Sequence, residues 1–204
     1  MEKCTDFSLY ESLKYCKGKT ILPGVRAHAY VIPKSWIVKW PTLPAFSAEK
    51  DLFGKLATYK GDFTLAADKK WLVVDLAYNK GNIEWEAQGN KPSRTFLNKF
   101  TATHPEINGS AAAFQRMAIA DDLVWAIPQR DGRVRILGSE QFETDTKPSG
   151  ATGEGLDGSA GSMFAVEATD VCPAPFYEGK IVTAEGEIDG RTDGPVGALP
   201  SVGG

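Results

Sequence analysis

Between Ser93 and Asp170 the chain sets strand, helix, strand, hairpin and strand in succession, and each junction carries the residues its turn requires. In SRTFLNKFTAT, Phe96 and Phe100 share one face of a strand pattern that stops at His104-Pro105. Asn108 and Ser110 are good caps, and Ala113, Phe114, Met117, Ala118 and Ile119 form an apolar stripe, so a helix is predicted over Ser110–Ala120. Its alanines let it lie close on a sheet. LVWAIPQ and RVRILGS follow as a hairpin turning at Asp131-Gly132, which supplies the positive φ of a tight turn, with Arg133 and Arg135 alternating against Val134 and Ile136. TKPSGATGEGLDGSAGS, residues 146–162, reads as a Gly-rich loop leading into the apolar strand MFAVEATDV.

The remaining segments are mostly strand-like. Residues 6–17 have helical features: Ser8 and Glu11 stand at capping-box spacing, Leu9, Leu13 and Cys16 share a face, and Gly18 follows as a stop. TILPGVRAHAYVIPKSWIVKWPTLP reads as two strands with Pro23, Pro33, Pro41 and Pro44 at their edges, a proline density that suits peripheral strands or an extended arm. Residues 47–61 read as irregular. DFTLA and KWLVVDLAY are strands separated by a turn at Asp68-Lys69-Lys70, and Asn79–Asn82 turns again. NIEWEAQ alternates cleanly, with Ile83, Trp85 and Ala87 to one side and Asn82, Glu84 and Glu86 to the other. GKIVTAEGEI reads as a last strand beyond the corner Pro173–Tyr177, and DGRTDGPVGALPSVGG is too rich in Gly and Pro to order by itself. The expected fold is mainly β: two packed antiparallel sheets, as a sandwich or barrel, with one flanking α-helix. The expected organisation is an N-terminal arm or short helix at 1–19, a β domain at 20–185 and a flexible tail at 186–204.

With 204 residues, 42% hydrophobic and 24% charged, the chain has material for one cored domain. A net charge of −3 gives no general attraction to nucleic acid or to an anionic membrane. MEKCTDFSLYESLKYCKGK lacks the apolar stretch of a secretory signal, and no window approaches a membrane span, so synthesis in the cytoplasm is expected. Cys4, Cys16 and Cys172, an odd number at no metal-like spacing, read as thiols, with a Cys4–Cys16 bridge the alternative on paper.

Several chemical motifs occur in letters without the context their chemistry needs. His28 and His104 stand far apart and near no Cys or paired acid at ligand spacing. Gly153, Gly155 and Gly158 spell GxGxxG, but a dinucleotide site needs a strand before it and a helix after it. Asp157-Gly158-Ser159-Ala160-Gly161 misses a nucleophile elbow by one glycine. Glu84 and Glu86 flank Trp85 as glycosidase acids can, yet no second acid-bearing strand is identifiable. Asn108-Gly109-Ser110 is a glycosylation sequon that serves better as a helix cap. The five tryptophans could stack sugars, though alternating strands more often place them in a core or subunit contact. No residue is assigned to catalysis, cofactor or metal, and no enzyme activity is expected.

The single helix before RDGRVRILGS, the loop TKPSGATGEGLDGSAGS and the strand MFAVEATD, in an otherwise β-rich chain, resemble the major tail tube proteins of tailed bacteriophages. The texture is nearest to prophage versions from Bacteroides-like bacteria, over residues 20–185. That resemblance implies a structural virion protein: two sheets with a helix on the flank, six copies closing a ring through their inner sheets, and rings stacking into a hollow tube. The implied partners are further copies of the chain, other phage tail proteins, and DNA as non-specific passing cargo, with no membrane and no cofactor. The implied location is the virion tail, after synthesis in the bacterial cytoplasm. Glu84 and Glu86 become candidates for the lumen-facing sheet. Gly153, Gly155, Asp157 and Gly158, with the stretch 47–61 and the termini, become candidate stacking elements. The proline-rich start and Gly/Pro-rich tail depart from the simplest members. The alternatives are a carbohydrate- or surface-binding β-sandwich module and another phage part such as a neck, terminator or decoration protein.

Overall fold

The computed structural model describes residues 10–46, 52–154, 158 and 160–196. Its centre is a six-stranded sheet formed by β1 (His28–Pro33), β3 (Thr58–Tyr59), β5 (Leu72–Asp75), β8 (Leu123–Pro128), β9 (Val134–Leu137) and β12 (Phe176–Tyr177). The spatial order is β3-β12-β9-β8-β1-β5, antiparallel except for the parallel pair β3 and β12. A second sheet contains β6 (Asn82–Gln88), β7 (Thr95–His104), β10 (Thr144–Ala151) and β11 (Gly161–Asp170), in the all-antiparallel order β10-β11-β7-β6. Two small sheets complete the described residues: β2 (Ile37–Lys39) with β4 (Thr64–Leu65), and β13 (Lys180–Val182), β14 (Glu187–Asp189) and β15 (Gly194–Pro195). The fold is therefore mainly β, built of packed antiparallel sheets with, among the described residues, one α-helix, α1 (Gly109–Ala118); none of these sheets closes into a barrel.

Side-chain alternation explains the layering. On β1 and β8, Ala29, Val31, Leu123, Trp125 and Ile127 face the four-stranded sheet, where Phe100, Ala102, Phe164, Val166 and Ala168 meet them. Tyr30, Ile32, Val124 and Ala126 face the opposite way, into a second core with Tyr59, Phe63, Trp71, Tyr177 and Ile181. A strand buried on both faces reads as a continuous apolar run, as AYVI and LVWAI do. β1 is consequently an interior strand between β8 and β5, not the peripheral strand or arm its prolines suggest; Pro33 sits at its end, where a missing N–H costs little.

Several other expectations change. Asn108 caps α1, its Oδ1 accepting from the Ala111 N–H at 2.8 Å, but the buried stripe is Ala111, half-buried Phe114 and Ala118. Met117 and Ile119, expected to face inward, are exposed because the helix is rotated to seat Phe114 edge-on against Trp125 and Phe164. The expected N-terminal helix is not formed over residues 10–17, where Tyr10 and Leu13 touch little, and an apolar face with nothing to bury against cannot sustain a short helix; residues 6–9 and Cys4 lie outside the described residues. Much of the expected loop at 146–162 is strand: β10 runs to Ala151 and β11 begins at Gly161, a ladder in which each residue from Thr144 to Ala151 has a partner. Pro148 and Gly150 are tolerated there because β10 is an edge.

GKIVTAEGEI is a hairpin, β13 and β14, turning at Gly186 with φ +146, and not one strand. The expected flexible tail is ordered as far as Val196: Val134 N–H donates to Gly190 O at 3.0 Å, and Val196 N–H donates to Glu187 O at 3.0 Å. Residues 197–204 lie outside the described residues.

Candidate functional site

The four-stranded sheet shows the core its Phe100 and Phe164 face and turns its polar residues outward. Register sets these in a transverse row, Glu84 opposite Lys99, Lys99 opposite Glu167, and Glu167 opposite Asp145. Glu86 joins the row by accepting from Lys99 Nζ at 2.6 Å, and Lys147 bridges Glu167 at 2.8 Å and Asp145 at 3.1 Å. Glu84 accepts instead from Asn82 Nδ2 at 2.8 Å. Hydrogen bonding to Glu86 raises the Lys99 pKa above its ordinary value, and hydrogen bonding to Glu167 and Asp145 does the same for Lys147, so both stay charged. Four carboxylates against two ammonium groups leave this face acidic.

Glu84 and Glu86 thus stand on one outward face, as the alternation of NIEWEAQ predicts, but the opposite face of β6 is not fully dry. Ile83 is half-buried, whereas Trp85 is 45% exposed, with the Arg135 guanidinium 4.7 Å from its ring centroid. β6 has one neighbour, β7, and an open groove of about 380 Å³ runs along it, lined by Ile83, Glu84, Trp85, Glu86 and Lys99. β10 is likewise bonded within the sheet only to β11, with the Gln115 side chain of α1 donating to Ser149 O at 2.8 Å beside it. Both sheet edges therefore present backbone that the sheet itself does not pair.

Of the candidate stacking residues, Gly153 and Gly158 lie between the end of β10 and the start of β11. Gly153, at φ +79, comes so near Gly158 that an added Cβ would sit 3.1 Å from the Gly158 carbonyl carbon. A Cβ on Gly158 would fall 2.2 Å from the Glu154 nitrogen. The two glycines thus stand in close backbone contact; Gly155 and Asp157 lie outside the described residues. A strand follows this GxGxxG, so the helix N-terminus that a pyrophosphate needs is missing there.

Neither histidine meets the other. His104 Nδ1 is 2.7 Å from Asp75 O, and His28 Nε2 is 2.8 Å from Asp193 Oδ2. Asp193, a residue of the expected tail, has a fully buried side chain that also accepts from Arg26 Nη1 at 2.8 Å and Tyr30 Oη at 2.6 Å. Burial first, and then the Asp193 contact, push the Tyr30 phenol well above its ordinary pKa. This cluster clamps the C-terminal segment onto β1. No local pattern reveals it, because its members lie more than 160 positions apart. Among the described residues no group of three or more His, Cys, Asp or Glu is arranged to hold a metal, and no helix is long and apolar enough to cross a membrane. Of the tryptophans, Trp71 and Trp125 are core, Trp36 and Trp40 are half-buried, and Trp85 is exposed. Comparison of the chain with protein-family models, curated proteins and solved structures finds no match in any of the three.

Proposed function

We propose that the chain is a structural virion subunit that assembles into rings stacked as a phage tail tube, with the four-stranded sheet turned to the lumen. The observation that carries this reading is the combination of an acidic outer face with two unpaired edges on the same sheet. Strand parity supports it. Along β10-β11-β7-β6 directions alternate, so β6 runs opposite to β10. Rotation about an axis along the strands then brings the β6 of one copy antiparallel to the β10 of the next, and the antiparallel ladder continues around a ring.

Lining such a ring with Glu84, Glu86, Glu167 and Asp145 repels phosphates, so DNA passes without sticking. Six copies, the number implied by the tail-tube resemblance, would carry about −18 in total at −3 each. Gly153 and Gly158, between the end of β10 and the start of β11, stand at one end of the sheet, where a stacking contact belongs. Exposed Trp85 beside the β6 groove favours a second reading, a carbohydrate-binding module, although Arg135 already stacks near that ring.

Negative-stain electron microscopy of concentrated protein, with light scattering on the same sample, tests the proposal. Rings or hollow tubes are the expected result. A monomer at every concentration, together with Trp85-dependent retention on a polysaccharide column, would replace it with the binding module.

A further inference from the structure

A cavity of about 300 Å³ opens at one end of the sandwich, away from the acidic outer face. Its walls come from four separate places: Trp40 and Leu43 ahead of β3, Tyr59 on β3, Glu140 after β9, and Asp170 with Val171 at the end of β11. The composition is unusual for a surface dent. Asp170 is only 2% exposed, yet its Oδ2 has no hydrogen-bond partner, while Oδ1 accepts from the Val171 N–H at 2.6 Å. A buried carboxylate oxygen without a partner forfeits the hydration it would have in water and gains nothing in exchange.

Among the described residues no basic side chain answers it. Arg135 makes no ion pair with it: its Nη1 donates to Ala174 O at 2.7 Å and its guanidinium stacks 4.0 Å from the Phe176 ring centroid. The ionisable neighbours of this region are Tyr59, Cys172 and Glu140, together with Arg135. Burial pushes the Tyr59 phenol up, and burial followed by the Asp170 charge pushes the Cys172 thiol up to about 12, so neither shares negative charge with Asp170 at neutral pH. The cavity therefore offers two carboxylates, one buried and one at the rim, between two aromatic rings.

We infer that this cavity is a binding site for a primary alkylammonium group, the head of a lysine side chain or of a free alkyl amine. The ammonium supplies the missing donor to Asp170 Oδ2 and a counter-charge to Glu140, while its methylene stem lies along Trp40, Leu43 and Tyr59. An ammonium fits better than a guanidinium. With Oδ1 already taken by Val171, Asp170 offers one free oxygen, enough for a point donor but not for the two parallel bonds of an arginine fork. A divalent metal is a poorer occupant still, since no third His, Cys, Asp or Glu among the described residues joins the two carboxylates.

Burial raises the Asp170 carboxyl to about 6, so the occupant should bind the ionised form and leave as the pH falls. Between about pH 7.5 and pH 5 the ionised fraction of a group titrating near 6 falls about ten-fold, and affinity should fall with it.

The test titrates the full chain with 1,5-diaminopentane and, separately, with Nα-acetyl-lysine N-methylamide, followed by calorimetry and by the amide resonance of Val171. The expected result is saturable binding at about pH 7.5 that moves the Val171 resonance, weakens about ten-fold at pH 5 and is lost in Asp170→Asn. Glu140→Gln, at an exposed position, should weaken binding a few-fold without affecting folding. Tighter binding of the lysine amide assigns the site to a protein side chain, and tighter binding of the diamine assigns it to a free amine. The inference is overturned if neither probe binds at ten millimolar, if 1-pentanol binds as well as the diamine, or if Asp170→Asn binds as the parent does.

Discussion

The unpartnered carboxyl of Asp170 makes stability itself depend on pH in a direction opposite to most paired acids. Its pKa rises from an ordinary 3.8 to about 6 in the folded chain because burial disfavours the ionised form, with the Val171 N–H acting weakly the other way. The folded state therefore holds this proton more tightly than the unfolded state. The stabilising protonation is fully present below about pH 4 and is lost as the pH climbs through about 6. About two pKa units correspond to roughly 3 kcal/mol, which the folded chain forgoes at neutral pH. Asp170→Asn keeps the shape and the Oδ1 acceptor for Val171 but cannot ionise. Relative to the parent, the variant should gain about 3 kcal/mol between pH 4 and pH 8, equivalent near neutrality to roughly 6–12 °C in Tm for a domain of this size. Urea unfolding followed by tryptophan fluorescence at one-unit pH steps, in amine-free buffer, reads the difference directly. A stability difference that stays constant within about 0.5 kcal/mol across that range refutes a buried, unpaired carboxyl at this position.

Other features give separable outcomes. Asp193→Ala strands Arg26, His28 and Tyr30 without their shared acceptor and should cost about 2–4 kcal/mol in chemical denaturation, whereas a freely moving tail would lose nothing. Gly132→Ala combines φ +90 with a Cβ only 2.7 Å from Thr192 O; limited proteolysis should then cut between 186 and 196 faster than in the parent, and an unchanged rate would contradict that contact. Trp125→Phe removes an indole N–H that has no partner, so its cost should stay under about 2 kcal/mol, well below the roughly 3–5 kcal/mol of Phe100→Ala in the same cluster; equal losses would show a hidden partner. Iodoacetamide at pH 8 should label exposed Cys16 and spare Cys172, whose thiol is held up at about 12 by burial, as mass spectrometry of the two peptides would reveal.

What could be read in advance follows the range of the forces involved. β6, β7, α1 and the β8–β9 hairpin emerge from local signals: strict alternation, the Asn108 cap, and Asp131-Gly132. Composition misled where pairing overrides it. Thr146–Ala151 looks like loop, yet β11 offers a ten-residue strand with one buried face and a free side, and pairing along it outweighs the poor propensity of Pro148 and Gly150. Residues 186–196 look too poor in apolar side chains to order, and they do so through Asp193 and main-chain bonds to Gly179 and Val134, contacts invisible to any local window. The acidic row is partly legible, because Glu84 and Glu86 follow from alternation, but Glu167 and Asp145 join only through register. Asp170 shares the period-two face of Phe164, Val166 and Ala168, so alternation in MFAVEATDV turns it inward, but that its Oδ2 goes without a partner depends on distant segments and leaves no local trace.

Edge joining has a geometric consequence that a single chain cannot imitate. Across the sheet, β6 and β10 are separated by three interstrand steps, about 14 Å at roughly 4.8 Å each. A disulfide needs Cα atoms within about 7 Å, so cysteines on the two edges cannot bond within one copy. In a ring they face each other between copies. A closed barrel staggers its strands, so the matching height on β10 is not fixed by the row within one sheet, and Glu84→Cys should be paired in turn with cysteine at Asp145, Lys147 and Ser149. With the native cysteines changed to serine, oxidation of concentrated protein should give, for one of the three pairs, a ladder of covalent oligomers ending at a closed ring. Each single-cysteine control should remain monomeric, because its cysteine then faces an edge that carries none. A ladder is the signature of a heterologous contact, in which each copy uses two different edges; dimers alone would mean that like edges meet, a closed two-fold arrangement that cannot build a tube lined by this sheet.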